Sequence, residues 1–182
     1  MTSPASSNAI HALTIGTILT GLRNTARIMD KANVHVAAHG IAMENMLQTR
    51  LYPDMFNLLQ QLQYVAYLAV DFARHFSERP APRVGYDEAS WAELRQSLET
   101  AADFLAAIAP SRLSEQADNI VPTFIDASKG MAVTDYAAAV IVPDFHFHMV
   151  MAYALLRHNG VPIGKSDFLG ELAMVDLIAN KV

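Results

Sequence analysis

The segment PDFHFHMVMAYALLRHNGVPIGKSDFLG, Pro143 to Gly170, decides how the chain is read. Its first half is apolar around most of a helical circumference, yet it carries Asp144, His146, His148, Tyr153, Arg157 and His158. A helix that apolar belongs inside a bundle, where each polar group needs a partner or a task. Asn159-Gly160 supplies a left-handed C-cap, and Pro162 prevents continuation. Upstream, Thr134 is positioned to cap a helix through Tyr136 and Ala139, which Pro143 kinks or restarts before the main helix runs to His158. Downstream, the apolar segment Phe168 to Ile178 reads as a short docking helix.

Three further helices are expected. The first runs from about Ala9 to Val36, capped by Ser7 or Asn8, with Leu13, Leu22, Ala26 and Met29 at three-and-four spacing. A short turn of helix fits Met43 to Gln48. The second long helix starts at Tyr52-Pro53-Asp54, with Pro in the first turn, and ends near Phe76 before SERPAPRVG. The third spans Asp87 to about Ile108, with Pro110 as its stop. Asn119 to Ile125 and Met131 to Val133 resemble two short strands around the turn Asp126 to Gly130. The expected architecture is an all-α four-helix bundle, up-and-down or crossover, with a small β-hairpin before the last main helix, in one domain over residues 1–182.

Composition narrows the function classes. The chain has 182 residues, 52% apolar and 17% charged, enough for a sizeable core and too apolar for disorder. Net charge is −5 with no basic block, which argues against a nucleic-acid partner. With no cysteine there is no thiolate catalysis, and His and carboxylates are the remaining good transition-metal ligands. The N-terminus lacks a basic residue before its apolar run, and no uninterrupted apolar run reaches the roughly 20 residues of a membrane span. A cytoplasmic protein without a membrane partner is the expectation.

YPDMFNLLQQLQ (Tyr52 to Gln63) and FHMVMAYALLRHNGVPIGKSDFLG (Phe147 to Gly170) resemble the two signatures of a bacterial family catalogued as a domain of unknown function, grouped within the DinB/YfiT-like metalloenzyme superfamily. The resemblance extends over almost the whole chain from GLRNTARIMDKA (Gly21 to Ala32). It implies a DinB-like four-helix bundle, often a homodimer. It also implies a pocket between helices in which three histidines hold a divalent metal such as Zn, Ni or Mn, two of them as HxxxH on the last main helix. Here the matching pair is Asp144-x-x-x-His148, a carboxylate standing where the first histidine would be. The second helix offers Asp54, Gln60, Gln61 and Gln63, with His75 at its far end.

The residues allow several readings of this site. Asp144 and His148, at i and i+4, share a helical face. Either Asp144 sits in the favourable first turn and orients His148, or the two hold a metal, or they bind a small molecule with Gln61 and Tyr64 as walls. His146, Tyr153 and Arg157 lie on another face, where Arg157 either anchors a helix end or receives a carboxylate. His146 and His148 stand about 200° apart and cannot chelate one ion on a helix. Gly164-Lys165-Ser166 lacks the upstream glycine and strand of a phosphate loop. No strained nucleophile turn supports a Ser-His-Asp triad, and no carboxylate pair is placed for glycoside chemistry. The stripe Gln60, Tyr64, Tyr67, Asp71 and His75 is too rich in Tyr and Gln for a solvated face and suits a dimer interface or a polar groove. Phe145 and Phe147 are read as core.

Three functions remain open. They are a small-molecule-binding protein or degenerate enzyme centred on His148, a metal-dependent transferase or hydrolase, and a structural or regulatory homodimer.

Overall fold

The computed structural model describes residues 9–126 and 128–176. Four long helices form the bundle, and short elements connect them. They are α1 Thr17–His39, α2 Met43–Leu47, α3 Leu58–Ala73, α4 Trp91–Ala106, α5 Pro110–Glu115, β1 Ile120–Pro122, β2 Gly130–Ala132, α6 Val133–Tyr136, α7 Val142–His158 and α8 Lys165–Leu169. A π turn, Ala12–Gly16, leads into α1, and another, Ala137–Ile141, joins α6 to α7.

Going round the bundle, α1 packs on α4, α4 on α3, α3 on α7, and α7 back on α1. The first two long helices, α1 and α3, are therefore diagonal rather than adjacent. This is the crossover form of the bundle, and the chain between them, including α2, spans one end. The core is filled by one face from each helix, with Leu22 and Met29, Leu62 and Phe72, Leu94 and Leu98, and Phe145 and Leu155 all buried. The continuous helical path Val133–His158 has the length and mean hydropathy (1.5) of a membrane span. Its apolar residues are instead divided between the bundle core and an exposed rim that includes Phe147 and Val150.

The second long helix begins five residues later than Pro53. Asn57 forms a capping box: its side-chain oxygen accepts from the Gln60 N–H at 2.9 Å, and Gln60 Oε1 accepts from the Asn57 N–H at 3.1 Å. Such a cap contributes about 1 kcal/mol and outcompetes a first-turn proline. Tyr52-Pro53 instead lies in a tied loop, where Arg50 Nη1 donates to the Met55 carbonyl at 2.9 Å and the Leu58 N–H reaches Thr49 O at 2.9 Å. The third long helix likewise starts at Trp91, not Asp87, because Ser90 and Glu93 form a second capping box. Pro110 opens α5 at its first turn as well as ending the previous segment.

The expected hairpin is present as β1 and β2, antiparallel with Val121 opposite Met131. Ala132, not Thr134, precedes the following helix; the Thr134 hydroxyl points back to the Ala117 carbonyl. Pro143 does not interrupt the helical path. The Val142 N–H donates five residues back to Ala137 O, and this π turn adjusts the register just before the residue that has no N–H to give. At the other end of α7, the Val161 N–H bonds Leu156 O and the Gly160 N–H bonds Arg157 O, with Gly160 at φ +89°. That is a Schellman cap, as Asn159-Gly160 implied.

The expected terminal helix over Phe168 to Ile178 is not formed in its described part: α8, Lys165–Leu169, starts earlier and overlaps it only at Phe168 and Leu169. Gly170 turns left-handed (φ +70°), and residues 171–176 are non-helical, with Leu172, Met174 and Val175 exposed. No apolar face of that segment is covered, so there is nothing to hold it helical. Residues 177 and 178, and the expected caps Ser7 and Asn8, lie outside the described residues. α8 itself is clamped to α1 by Lys31 Nζ to Asp167 Oδ1 at 2.5 Å and by Asn24 Nδ2 donating to Phe168 O at 3.1 Å.

Candidate functional site

The α3–α7 seam brings Gln61, Tyr64, Asp144 and His148 together. Gln61 lies one turn into α3, buried to 1% exposure, because the Asn57 cap sets the helix phase. Its Nε2 donates to the Phe56 carbonyl at 3.4 Å, so its Oε1 faces His148 Nδ1 at 2.6 Å. Flipping the amide would set two oxygens against each other at Phe56. The orientation of Gln61 therefore places the imidazole hydrogen on Nδ1, donating to Gln61 Oε1. Asp144 sits in the first turn of α7, and its Oδ1 lies 3.3 Å from His148 Nε2.

With hydrogen on Nδ1, a neutral His148 turns its Nε2 lone pair towards the Asp144 oxygen. Two acceptors then face each other unless a proton lies between them. Burial pushes the His148 imidazole below its ordinary 6.5, while the charge and hydrogen bond of Asp144 push it back up; burial prevails. The site is thus a buried imidazole fixed on one edge by an amide, with a carboxylate on the other edge that is 29% exposed.

Aromatic rings surround it. Tyr64 lies 4.5 Å from the imidazole, Phe147 5.2 Å and Phe56 5.9 Å, centroid to centroid. From Tyr64 the rings continue to Tyr67 at 5.4 Å and Tyr86 at 5.5 Å, where the Arg83 guanidinium stands 4.9 Å from the ring centre. That run ends at a cavity of about 250 Å³ lined by Tyr67, Asp71, Arg74, Arg83 and Tyr86, with His148 outside its lining. The expected polar stripe is thus part groove: Tyr64 and Tyr67 flank it, Asp71 pairs with Arg74 at 3.0 Å, and Gln60 is used up as a cap. Burial raises the Tyr64 hydroxyl above its ordinary 10.0, with the charges of Asp144 and Asp71 adding to it.

Other candidates fall elsewhere. Tyr153 packs edge-on against Phe168 at 5.7 Å, and Arg157 Nη1 reaches the Val161 carbonyl at 3.4 Å, so both secure the tail rather than the His148 site. His146 Nδ1 turns back to Val142 O at 2.8 Å. Gln63 holds the loop before α4 through the Glu88 carbonyl, and Asp54 is exposed. Phe147, expected in the core, is 51% exposed on the site's rim, whereas Phe145 is fully buried. Phe56 is a participant that the sequence analysis does not single out. The Asn57-x-x-Gln60 cap was the signal that puts it just ahead of the helix.

A zinc-like centre needs at least three protein ligands. Asp144 and His148 supply two. Gln61 of α3 occupies the Nδ1 edge, away from Nε2. Among the described residues no group of three His, Asp or Glu side chains could hold a metal ion. The residues present do not fit the superfamily's three-ligand centre.

Comparison with known proteins returns the same helical-bundle fold. Residues 10–169 match the family described as Domain of unknown function (DUF1993). The chain belongs to this family. The crystal structure of a DinB family member protein from Shewanella denitrificans is similar to this DUF1993 protein, with a TM-score of 0.87 and 27% identity over 96% of this chain and 99% of that one. No curated protein matches the chain. The DUF1993 match covers all four site residues, Gln61, Tyr64, Asp144 and His148, and ends at Leu169, where α8 ends.

Proposed function

We propose that this is a cytoplasmic small-molecule-binding protein, or a DinB-like enzyme reduced to metal-free acid–base chemistry, whose site is the Gln61–His148–Asp144 relay on the α3–α7 seam. One observation carries the reading: His148, 8% exposed, is hydrogen-bonded to Gln61 on one ring edge, has the Asp144 carboxylate 3.3 Å from the other, and is surrounded by three aromatic rings. A core histidine needs one partner for each nitrogen. A carboxylate that meets an imidazole lone pair at the solvent edge is a poor structural choice and a good proton-exchange site. A ligand there places its polar head at Asp144 and its body along Tyr64 and Tyr67 towards the cavity.

The test is an NMR-monitored screen of aromatic and heteroaromatic fragments on the parent and on His148→Ala. Hits that move the Phe147, His148 and Tyr64 signals, and lose at least about tenfold in affinity in the variant, support the site. Hits confined to other surfaces would remove it. A pH titration on the same samples has a fixed sign. His148 protonates below its ordinary 6.5, and Asp144→Asn lowers the midpoint further, since it removes the charge opposing burial. Because the unfolded chain takes this proton first, stability declines as pH falls through the ordinary imidazole range towards the folded midpoint.

A homodimer is the second reading, favoured by Phe147 (51% exposed) and Val150 (45%), one turn apart on α7 beside the site. Phe147→Glu/Val150→Glu is expected to convert a dimer to monomer in light scattering. A mass unchanged by the substitutions would exclude this face.

A further inference from the structure

We infer that the ligand head recognised by the relay, on the reading just proposed, is a cationic N–H donor: a primary ammonium or a similar protonated amine. The argument is an inventory of what the site offers. Gln61 Oε1 takes the imidazole hydrogen at 2.6 Å, which leaves Nε2 as an acceptor. Asp144 Oδ1, 3.3 Å from it, is also an acceptor. The donors of Gln61 are turned away to the Phe56 carbonyl. Two acceptors at that separation, with no donor hydrogen-bonded between them among the described residues, are satisfied together by one group carrying two or more N–H bonds. A positive charge on that group also offsets the carboxylate.

The surroundings agree with this. Phe56, Tyr64 and Phe147 present π systems around the imidazole, and aromatic faces attract organic cations. The arginines along the aromatic run are already engaged: Arg74 with Asp71, Arg83 with Asp87, and Arg50, beside Phe56, with the Pro53 and Met55 carbonyls. An anionic head would meet the like charge of Asp144. An uncharged alcohol would supply one hydrogen for two acceptors.

The experiment uses three probes of one shape: 2-phenylethylammonium, 2-phenylethanol and 3-phenylpropionate. Each is titrated into isotopically labelled protein at neutral pH. The expected result is that the ammonium shifts the His148 and Phe147 signals and binds at least about tenfold more tightly than the other two. Asp144→Asn, which keeps the side-chain shape, then abolishes the preference while leaving the backbone spectrum intact. Alcohol or carboxylate binding at the same residues with equal or greater affinity would overturn the cation assignment and leave the small-molecule site standing. If none of the three moved the His148 signals, the cation assignment would fall and the fragment screen would decide the site alone. A Zn²⁺ arm covers the other cation class: tight zinc binding that needs both Asp144 and His148 would make them metal ligands and overturn the proposal.

Discussion

Phe145→Ala is expected to lower the unfolding free energy by about 3–5 kcal/mol, measured by urea denaturation followed by circular dichroism. The ring is fully buried where α7 crosses α1. It sits directly over Gly21, close enough that a Cβ there would come within 2.5 Å of Phe145 Cε1 and 3.0 Å of Met149 Sδ. α1 and α7 approach each other through this gap in the side-chain surface of α1, so the aromatic ring serves as the spacer between them. Gly21→Ala forces the ring to move and costs about 1–3 kcal/mol by overpacking. The double variant separates this explanation from a general loss of core. The new methyl group partly fills the space that the ring vacates, so Gly21→Ala/Phe145→Ala loses less than the sum of the singles, by about 1 kcal/mol. Strict additivity would show that the two residues do not share one packing site.

Gly85→Ala is the second large effect, about 2–4 kcal/mol, from a loop that carries no helix. Gly85 has φ +79°, a conformation that L residues rarely adopt. A Cβ there would lie 2.5 Å from Gln63 O and 2.9 Å from Tyr67 N, both backbone atoms of α3 that cannot yield. The position also organises its surroundings. The Gly85 N–H donates to Glu88 Oε1 at 2.7 Å, and the Ser97 hydroxyl of α4 donates to the same oxygen. Burial raises the Glu88 carboxyl, but those hydrogen bonds outweigh it and hold the group below its ordinary 4.5. A carboxyl depressed in the folded state contributes stability above the ordinary value and loses it as pH falls through the folded value. Gly85→Ala should therefore flatten the decline in stability between about pH 5 and the acid limit, as well as lower the plateau. Glu88→Gln should flatten the same slope while sparing the left-handed turn. If both variants kept the parent's acid slope, Glu88 would not be its source.

Much of this fold is legible in the sequence, because the strongest signals are local. The Asn159-Gly160 cap, the breaker SERPAPRVG and the apolar spacing of the four long helices all act within a few residues, and each appears where it was read. The starts of α3 and α4 depart from expectation for a local reason too: the Asn57–Gln60 and Ser90–Glu93 capping boxes set them, a few residues after Pro53 and Asp87. The tail was misread because Phe168 to Ile178 is apolar in composition, while a helix there needs a covered face. The ring order of the bundle, with α1 and α3 diagonal, depends on which faces meet, and no single segment records that. For the site, the i, i+4 pair Asp144 and His148 was readable, and so was the candidacy of Gln61 and Tyr64. The turning of the Gln61 amide by the Phe56 carbonyl was not, because it joins a loop, a cap and a distant helix. Tyr153 and Arg157 share a second face of α7 by their spacing, and there they meet Phe168 and the Val161 carbonyl rather than His148.

The π turn at Ala137–Ile141 has a consequence for comparing relatives. It holds one residue more than an α-helix of the same rise, and each residue of an α-helix turns the chain by about 100°. Tyr136 before it and Phe145 after it both face the core. A homologue that lacks one of these alanines can therefore keep the same two contacts only by running as plain α-helix up to its proline. Aligned without a gap, such a chain would set its carboxylate and histidine one place out of step with Asp144 and His148. Relatives would then appear to have lost or gained a ligand when they differ only by an insertion of one residue, and a gap between 137 and 141 is the first thing to allow when their histidines are counted.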